Sequence, residues 1–402
     1  MSGVWPTKTL SEICQIKPPK SEARRRLAST DSVSFVPMED LGIDQKQLVP
    51  TQTRSLADVA GSYTYFADGD VLLAKITPCF ENGKLGIASN LTNRIGFGSS
   101  EYLVFRPDAA LDKEWLYYFL SRETFRDEGA ARMSGAVGHK RVAKEFIDAY
   151  LIPLPPLPEQ QRIVGILDEA FDGIATAKAN AEKNLQNARA LFESHLQAVF
   201  THGGEGWQEK RLKEVCEKIT DGTHQTPTYF DEGVIFLSSR NVTSGFIDWD
   251  RIKYIDTKQH LAMHKRVAPR INDILLAKNG TTGVAAMVDR DVTFDIYVSL
   301  ALLRPLSVLR PKFLLFFINS PIAKQQFNKR LKGVGVPNLH LEEIREVVLS
   351  FPASLTEQDR VLESLESLQA ETQRLESLYQ QKLAALDALK KSLLHQAFSG
   401  AL

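Results

Sequence analysis

The chain repeats itself once, and that duplication constrains its fold more than any other feature. Trp5-x-x-Lys8-x-Leu10-x-Glu12-Ile13-Cys14 returns as Trp207-x-x-Lys210-x-Leu212-x-Glu214-Val215-Cys216. Asp70-Val-Leu-Leu-Ala-Lys75 returns as Asp273-Ile-Leu-Leu-Ala-Lys278. Arg106-Pro107 followed by Trp115-Leu-Tyr-Tyr-Phe119 matches Arg304-Pro305 followed by Phe313-Leu-Leu-Phe-Phe317. Glu159-Gln160-x-Arg162 matches Glu357-Gln358-x-Arg360, and Ser194-x-Leu196-x-x-x-Phe200 matches Ser392-x-Leu394-x-x-x-Phe398. The offset is 202 at the start (5 to 207) and 198 later (159 to 357), so the halves differ in length by only a few residues.

Each half predicts the same plan. Short β-rich runs, Asp70–Ile76 and Tyr102–Arg106 in the first half, Gly233–Leu237 and Asp273–Ala277 in the second, lie between Gly, Asn and Pro breakers. A helix follows near Lys113–Ser121 and near Pro311–Asn319. A hinge comes next, Ile152-Pro-Leu-Pro-Pro-Leu-Pro158 or the weaker Phe351-Pro-Ala-Ser-Leu-Thr356. Proline lacks an amide donor and fixes φ, so these stretches read as extended connectors ahead of a helix.

The last segment of each half is one long helix. Ile163, Leu167, Ala170, Ile174, Ala177, Ala181, Leu185, Ala188, Phe192, Leu196 and Val199 recur at spacings of three and four. Val361, Leu365, Leu368, Thr372, Leu375, Tyr379, Leu383, Leu386, Leu389, Leu393 and Ala397 do the same. Forty residues at about 1.5 Å each make a rod of roughly 60 Å. A narrow apolar stripe needs a partner, and the duplicate helix is the nearest one available. The expected architecture is α+β, with mixed domains at 1–155 and 204–353. Spacer helices at 156–203 and 354–402 would pair as an antiparallel intramolecular coiled coil with a pseudo-twofold repeat. Packing of each helix on its own domain, or across a homodimer, stays open.

Two non-identical domains on a fixed spacer suit a two-part target on duplex DNA, where twofold proteins read half-sites at their own spacing. Residues 17–67 share almost nothing with 220–270, so the two readers differ where the scaffold does not. Charge sets a condition on this. The chain has 49 basic and 49 acidic side chains, so affinity for phosphate must come from local patches or from partners. Residues 201–350 are mildly basic, 21 against 17.

The order of variable domain, hinge, long helix, second variable domain and second Glu-Gln-x-Arg helix resembles the specificity subunits of type I restriction–modification systems. Leu154-Pro-Pro-Leu-Pro-Glu-Gln-Gln-Arg-Ile-Val164 and Leu393-Leu-His-Gln-Ala-Phe-Ser-Gly400 carry the likeness most specifically. The resemblance implies two target-recognition domains reading an asymmetric, split double-stranded DNA site. It also implies helices that dock two methyltransferase subunits, for which Glu159, Gln160, Arg162, Glu357, Gln358 and Arg360 are the candidates, and a place for two restriction subunits. S-adenosylmethionine would belong to the methyltransferase subunit, and ATP and Mg to the restriction subunit, with no cofactor on this chain. The recognition subunit of a type IIB-like methylase–nuclease and a coiled-coil scaffold with duplicated protein-binding domains are the alternatives.

The residues argue against chemistry of the chain's own. No Asn/Asp-Pro-Pro-Tyr/Phe loop is present, and no Glu-x-Lys accompanies Pro107-Asp108. Asn279-Gly280-Thr-Thr-Gly283 lacks the Lys-Ser/Thr of a phosphate-binding loop. His260-x-x-x-His264 has metal spacing but no evident third ligand, and reads as a surface pair. Cys14, Cys79 and Cys216 are few and scattered, which fits a reducing compartment rather than a disulfide framework. No apolar leader opens the sequence and no apolar run approaches the ~20 residues of a membrane helix. The expected setting is cytoplasmic, without a membrane.

Candidate DNA contacts combine glycine, for close backbone approach, with polar side chains suited to phosphates and base edges. In the first half these are Lys75, Asn82 and Lys84, then His139, Lys140 and Arg141 after Gly138. In the second they are His224, Gln225, Thr226, Arg240 and Asn241, then Lys278 and Asn279, and Asn338 closing Gly333-Val-Gly-Val-Pro-Asn338. Lys75 and Lys278 share a place in the repeat, as a phosphate clamp or a strand-end charge.

Overall fold

A computed structural model describes residues 5–279, 282–331 and 338–402. The chain forms two compact units. The first is Met1–Ala181 with Gln381–Leu402, and the second is Glu182–Gln380. Each long helix contributes to both units, since the central helix runs Leu157–His202 and the C-terminal helix Leu355–Ser399.

In the first unit, a five-stranded sheet has the order Cys14–Ile16, Tyr102–Pro107, Val71–Ala74, Leu85–Ala88, Gln47–Leu48. A four-stranded sheet has the order Gln52–Ser55, Ser32–Val36, Ile95–Gly98, Thr64–Ala67. Within it, Ser32–Val36 and Ile95–Gly98 are parallel, with Phe35 opposite Phe97. The Val71–Ala74 strand is buried at every residue, as a continuous apolar run requires when both faces are covered.

The second unit repeats this plan without counterparts to the strands Gln47–Leu48 and Thr64–Ala67. Cys216–Asp221, Leu300–Pro305, Ile274–Ala277 and Ala285–Met287 form its larger sheet. Lys253–Ile255, Val234–Leu237 and Phe294–Ile296 form the smaller, with Phe236 opposite Asp295 in a parallel pair. Each proline hinge starts as a strand and runs on as a short connector into its long helix. Leu151–Pro153 pairs with Thr7–Thr9, and Val348–Pro352 with Trp207–Arg211, so the start of each half is tied to its hinge.

Pieces of the two long helices run antiparallel within each unit. In the first, Lys178 pairs with Asp387 at 2.7 Å, and the Arg162 guanidinium donates to the Leu402 carbonyl at 2.9 Å. In the second, Arg189 pairs with Glu376 at 3.2 Å. The central stripe is buried or half-buried throughout, whereas on the C-terminal helix Leu389 is exposed. The stripe's ends enter the cores: Ile163, Leu167, Ala397 and Phe398 in the first unit, Leu196, Phe200, Leu362 and Leu365 in the second.

Candidate nucleic-acid interface

Backbone pairing gathers the first unit's candidates. The Thr77 amide donates to the Lys140 carbonyl and the Val142 amide to the Lys75 carbonyl, both at 2.9 Å. Ser134 and Arg141 close a small hairpin whose turn needs positive φ at Gly135 (128°) and Gly138 (80°). His139 and Lys140 stand exposed on it. Arg141 makes a two-pronged ion pair with Glu101 at 2.8 and 2.9 Å, which holds the Glu101 carboxylate below its usual range. Lys75 is engaged from within, donating to the Ser100 carbonyl at 2.9 Å, and burial pulls it below the usual ammonium range. Lys84 donates to the Met38 carbonyl at 2.7 Å, and Asn82 is exposed at the neighbouring turn.

The second unit carries a cleft of about 660 Å³ at the edge of its smaller sheet. Arg240, Arg251, Lys253, Tyr229 and Tyr297 line it. The Lys253 ammonium lies 3.8 Å from the Tyr229 ring centroid, a cation–π contact that holds both side chains at the rim. Thr226 meets the Tyr297 hydroxyl at 3.2 Å, bringing the exposed His224-Gln225-Thr226 segment to the same mouth. Cations and exposed aromatics over a polar floor can bind phosphate and stack or hydrogen-bond bases.

Several candidates serve the fold instead. Asn241 is buried; it accepts from the Ser238 amide at 2.9 Å and donates to the Arg251 carbonyl at 3.0 Å, shaping the cleft wall. Lys278 is buried against Asp221 at 3.0 Å, so of its two readings the strand-end charge stands. Asn279 and Asn338 form a backbone bridge, which corresponds to the Ile76–Arg141 bridge of the first unit. Gly280 and the Gly333-Val-Gly-Val-Pro segment lie outside the described residues.

Gln160 and Gln358 are fully buried, which removes them from any partner-facing surface. Gln160 accepts from the Asp112 amide at 2.8 Å and donates to the Ala110 and Pro155 carbonyls at 2.9 and 2.8 Å. Gln358 accepts from the Arg310 amide at 2.8 Å and donates to the Val308 and Pro352 carbonyls, both at 2.9 Å. Each pins its long helix to the loop before the short helix of the same half. Their neighbours pair across one helical turn, Arg162 with Glu159 at 2.7 Å and Arg360 with Glu357 at 3.0 Å, leaving both arginines exposed.

Sequence reading missed a basic cluster in the first unit. Lys17, Arg24, Arg25 and Arg26 are exposed, the arginines closing the helix Ser21–Arg26. Three consecutive arginines were the available signal. Arg251, Lys253 and the two cleft tyrosines carried none, because they are separated along the chain.

A duplicated mixed α/β unit with two long helices is the class these features define. The model for the type I restriction modification DNA specificity domain matches residues 3–186 and 204–384. The chain belongs to this family and carries its domain twice. The specificity subunit of the type I restriction enzyme EcoAI from Escherichia coli is 36% identical over 214 residues, 53% of this chain and 34% of that protein. The EcoEI specificity subunit, also from Escherichia coli, is 38% identical over 165 residues, 40% of this chain and 27% of that protein. The match thus spans about a third of the length of these curated relatives. Among solved structures, a chain from work on complex assembly and conformational transition of the type I R-M system superposes with a TM-score of 0.80. It is 21% identical, with 99% of this chain and 98% of that one covered. The HsdS subunit from Thermoanaerobacter tengcongensis gives 0.66 at 20% identity, covering 99% and 97%. The fold is therefore shared along the whole chain.

Proposed function

We propose that this chain is the non-catalytic DNA-specificity subunit of a type I restriction–modification complex, reading an asymmetric two-part DNA site. One observation carries the reading: the two units keep the same core strand order and hinge ribbons, while the surfaces on them differ. The second offers a cation- and tyrosine-lined cleft, the first an arginine cluster and the His139-Lys140 hairpin. The domains at 1–155 and 204–353 are the readers, and the helices at 156–203 and 354–402 are the spacer, paired as an antiparallel coiled coil. Glu159, Arg162, Glu357 and Arg360 remain candidates for docking two methyltransferase subunits. S-adenosylmethionine comes with those subunits, and ATP and Mg with two restriction subunits. No helix among the described residues is long and apolar enough to cross a membrane.

The test is single-molecule methylome sequencing of a host carrying the gene with its neighbouring methyltransferase gene. The expected result is one split methylated motif that vanishes when this gene is deleted. A motif that survives deletion, or a chain that forms no complex with the methyltransferase, would overturn the proposal. Seven residues inserted after both Ala181 and Tyr379 add two turns, about 10 Å, and should widen the spacer by about three base pairs with both half-sites unchanged.

A further inference from the structure

The structure supplies what the His260-x-x-x-His264 spacing lacks. Both histidines lie on the helix Thr257–Val267, and Asp295 lies on the strand Phe294–Ile296 beneath it. His260 Nδ1 is 2.7 Å from one Asp295 carboxylate oxygen, and His264 Nδ1 is 3.1 Å from the other. The ligand atoms of the three residues all lie within 4.8 Å of one another. The pair is therefore no loose surface feature: the His260 side chain is 15% exposed, His264 31% and Asp295 2%.

The duplication shows that the sheet itself needs no carboxylate there. The first unit's equivalent of Asp295, 198 residues earlier, is Phe97, fully buried and packed against Tyr65 at 5.6 Å. Phe97 faces Phe35 in the parallel pair where Asp295 faces Phe236. A carboxylate in place of an aromatic in a buried strand gives up its hydration, a cost that hydrogen bonds or a nearby cation must offset.

We propose that His260, His264 and Asp295 form a binding site for one borderline divalent transition ion, of which Zn²⁺ is the type, with water as fourth ligand on the His264 side. Two imidazoles and one carboxylate select this class over Mg²⁺ or Ca²⁺, which take oxygen ligands. In a tetrahedral site with bonds near 2.0–2.1 Å, ligand atoms sit roughly 3.3 Å apart. To admit the ion, His260 Nδ1, now 2.7 Å from its carboxylate oxygen, retreats by about 0.6 Å, and the two nitrogens, which contact different oxygens, converge on one of them. The ion fastens the helix to the sheet and so steadies the cleft. Gln259, the residue before His260, holds the backbone of Thr228 by both its amide and its carbonyl at 2.9 and 3.0 Å, and Tyr229 follows.

The test uses the full chain without a histidine tag, stripped with chelator and titrated with Zn²⁺ by calorimetry and with Co²⁺ by visible absorption. The expected result is one equivalent of ion, the ligand-field bands of tetrahedral Co²⁺, and a higher Tm with Zn²⁺. His264→Ala, at the more exposed ligand, should lower the Tm in chelator by the loss of one hydrogen bond to Asp295 and should also abolish the further rise in Tm that Zn²⁺ brings. It should weaken Zn²⁺ by more than the roughly 10- to 100-fold that loss of an outer partner costs. Asp295→Asn should abolish the Co²⁺ spectrum. Failure to bind Zn²⁺ at micromolar concentration, or binding unaltered in His264→Ala, would overturn the site and leave two histidine–aspartate hydrogen bonds in its place.

Discussion

The Trp115 ring packs on that of Phe398, with 4.3 Å between centroids, and the equivalent Phe313 packs on Phe200 at 5.3 Å. Trp115 and Phe200 belong to the first repeat, Phe313 and Phe398 to the second. Each core is therefore completed by the end of the other repeat's long helix. The entry tryptophans repeat the theme, Trp5 on Trp115 at 5.8 Å and Trp207 on Phe313 at 5.9 Å.

Phe398→Ala should destabilise the first unit by about 3 kcal/mol, and Phe200→Ala the second by a similar amount, from lost burial plus the cavity left behind. Denaturant unfolding with hydrogen exchange resolved by segment checks this. Loss of protection confined to the long helix in Phe398→Ala, with the sheet Tyr102–Pro107 untouched, would contradict it.

Gln160→Leu keeps the volume and strands two carbonyls and an amide. A buried group left unpaired costs about 1–3 kcal/mol. The Pro155 carbonyl bears this in full while water reaches the groups of exposed Ala110 and half-buried Asp112, so the variant should lose roughly 2–4 kcal/mol, and Gln358→Leu the same. Arg162→Ala, beside it but exposed, should cost under about 1 kcal/mol. It should instead weaken association with the methyltransferase if that surface docks it. Equal stability losses from the two changes would contradict the assignment.

Burial pushes the Cys14 and Cys216 thiols up to about 12, Cys14 with a further push from the Asp108 charge. A raised thiol stays protonated until the pH nears that value, so at pH 8 only about one in 10⁴ is thiolate. The native chain should therefore react with a thiol reagent at Cys79 alone, which is half-buried, and at all three cysteines in denaturant. Rapid native labelling of Cys14 or Cys216, read by peptide mass, would show that those strands open.

Arg240→Ala combined with Arg251→Ala removes two cations from the cleft of the second unit. Losing a base-reading arginine costs about 1–3 kcal/mol at its position. One half of the target should lose specificity, read as relaxed methylation there, while the other half stays strict. Lys140→Ala should act on the opposite half. Uniform weakening across all sequences, with a shallower salt dependence, would assign these residues to phosphate alone.

Much of the architecture was legible because it is written in local periodicity and in repetition. The stripe from Ile163 to Val199 and the helix Pro311–Asn319 are properties of neighbouring residues, and the matched motifs announced two copies of one plan. What polar residues do was not legible. Gln160, Asn241 and Lys278 looked available by type, yet each is consumed by backbone or a carboxylate that folding brings to it. Asp295 gave no sign of belonging with His260 and His264, from which it is separated by more than thirty residues.

The sequence by itself determined that the chain is two versions of one α+β unit, each ending in a long amphipathic helix, with surfaces that differ between copies. Only the tertiary structure decided which helix end completes which core, and which charged side chains remain for a ligand. The reason is physical. Periodicity sets which face of an element is apolar, but a side chain's partners are set by distance in space. Packing alone determines whether a polar group meets water, backbone or an opposite charge.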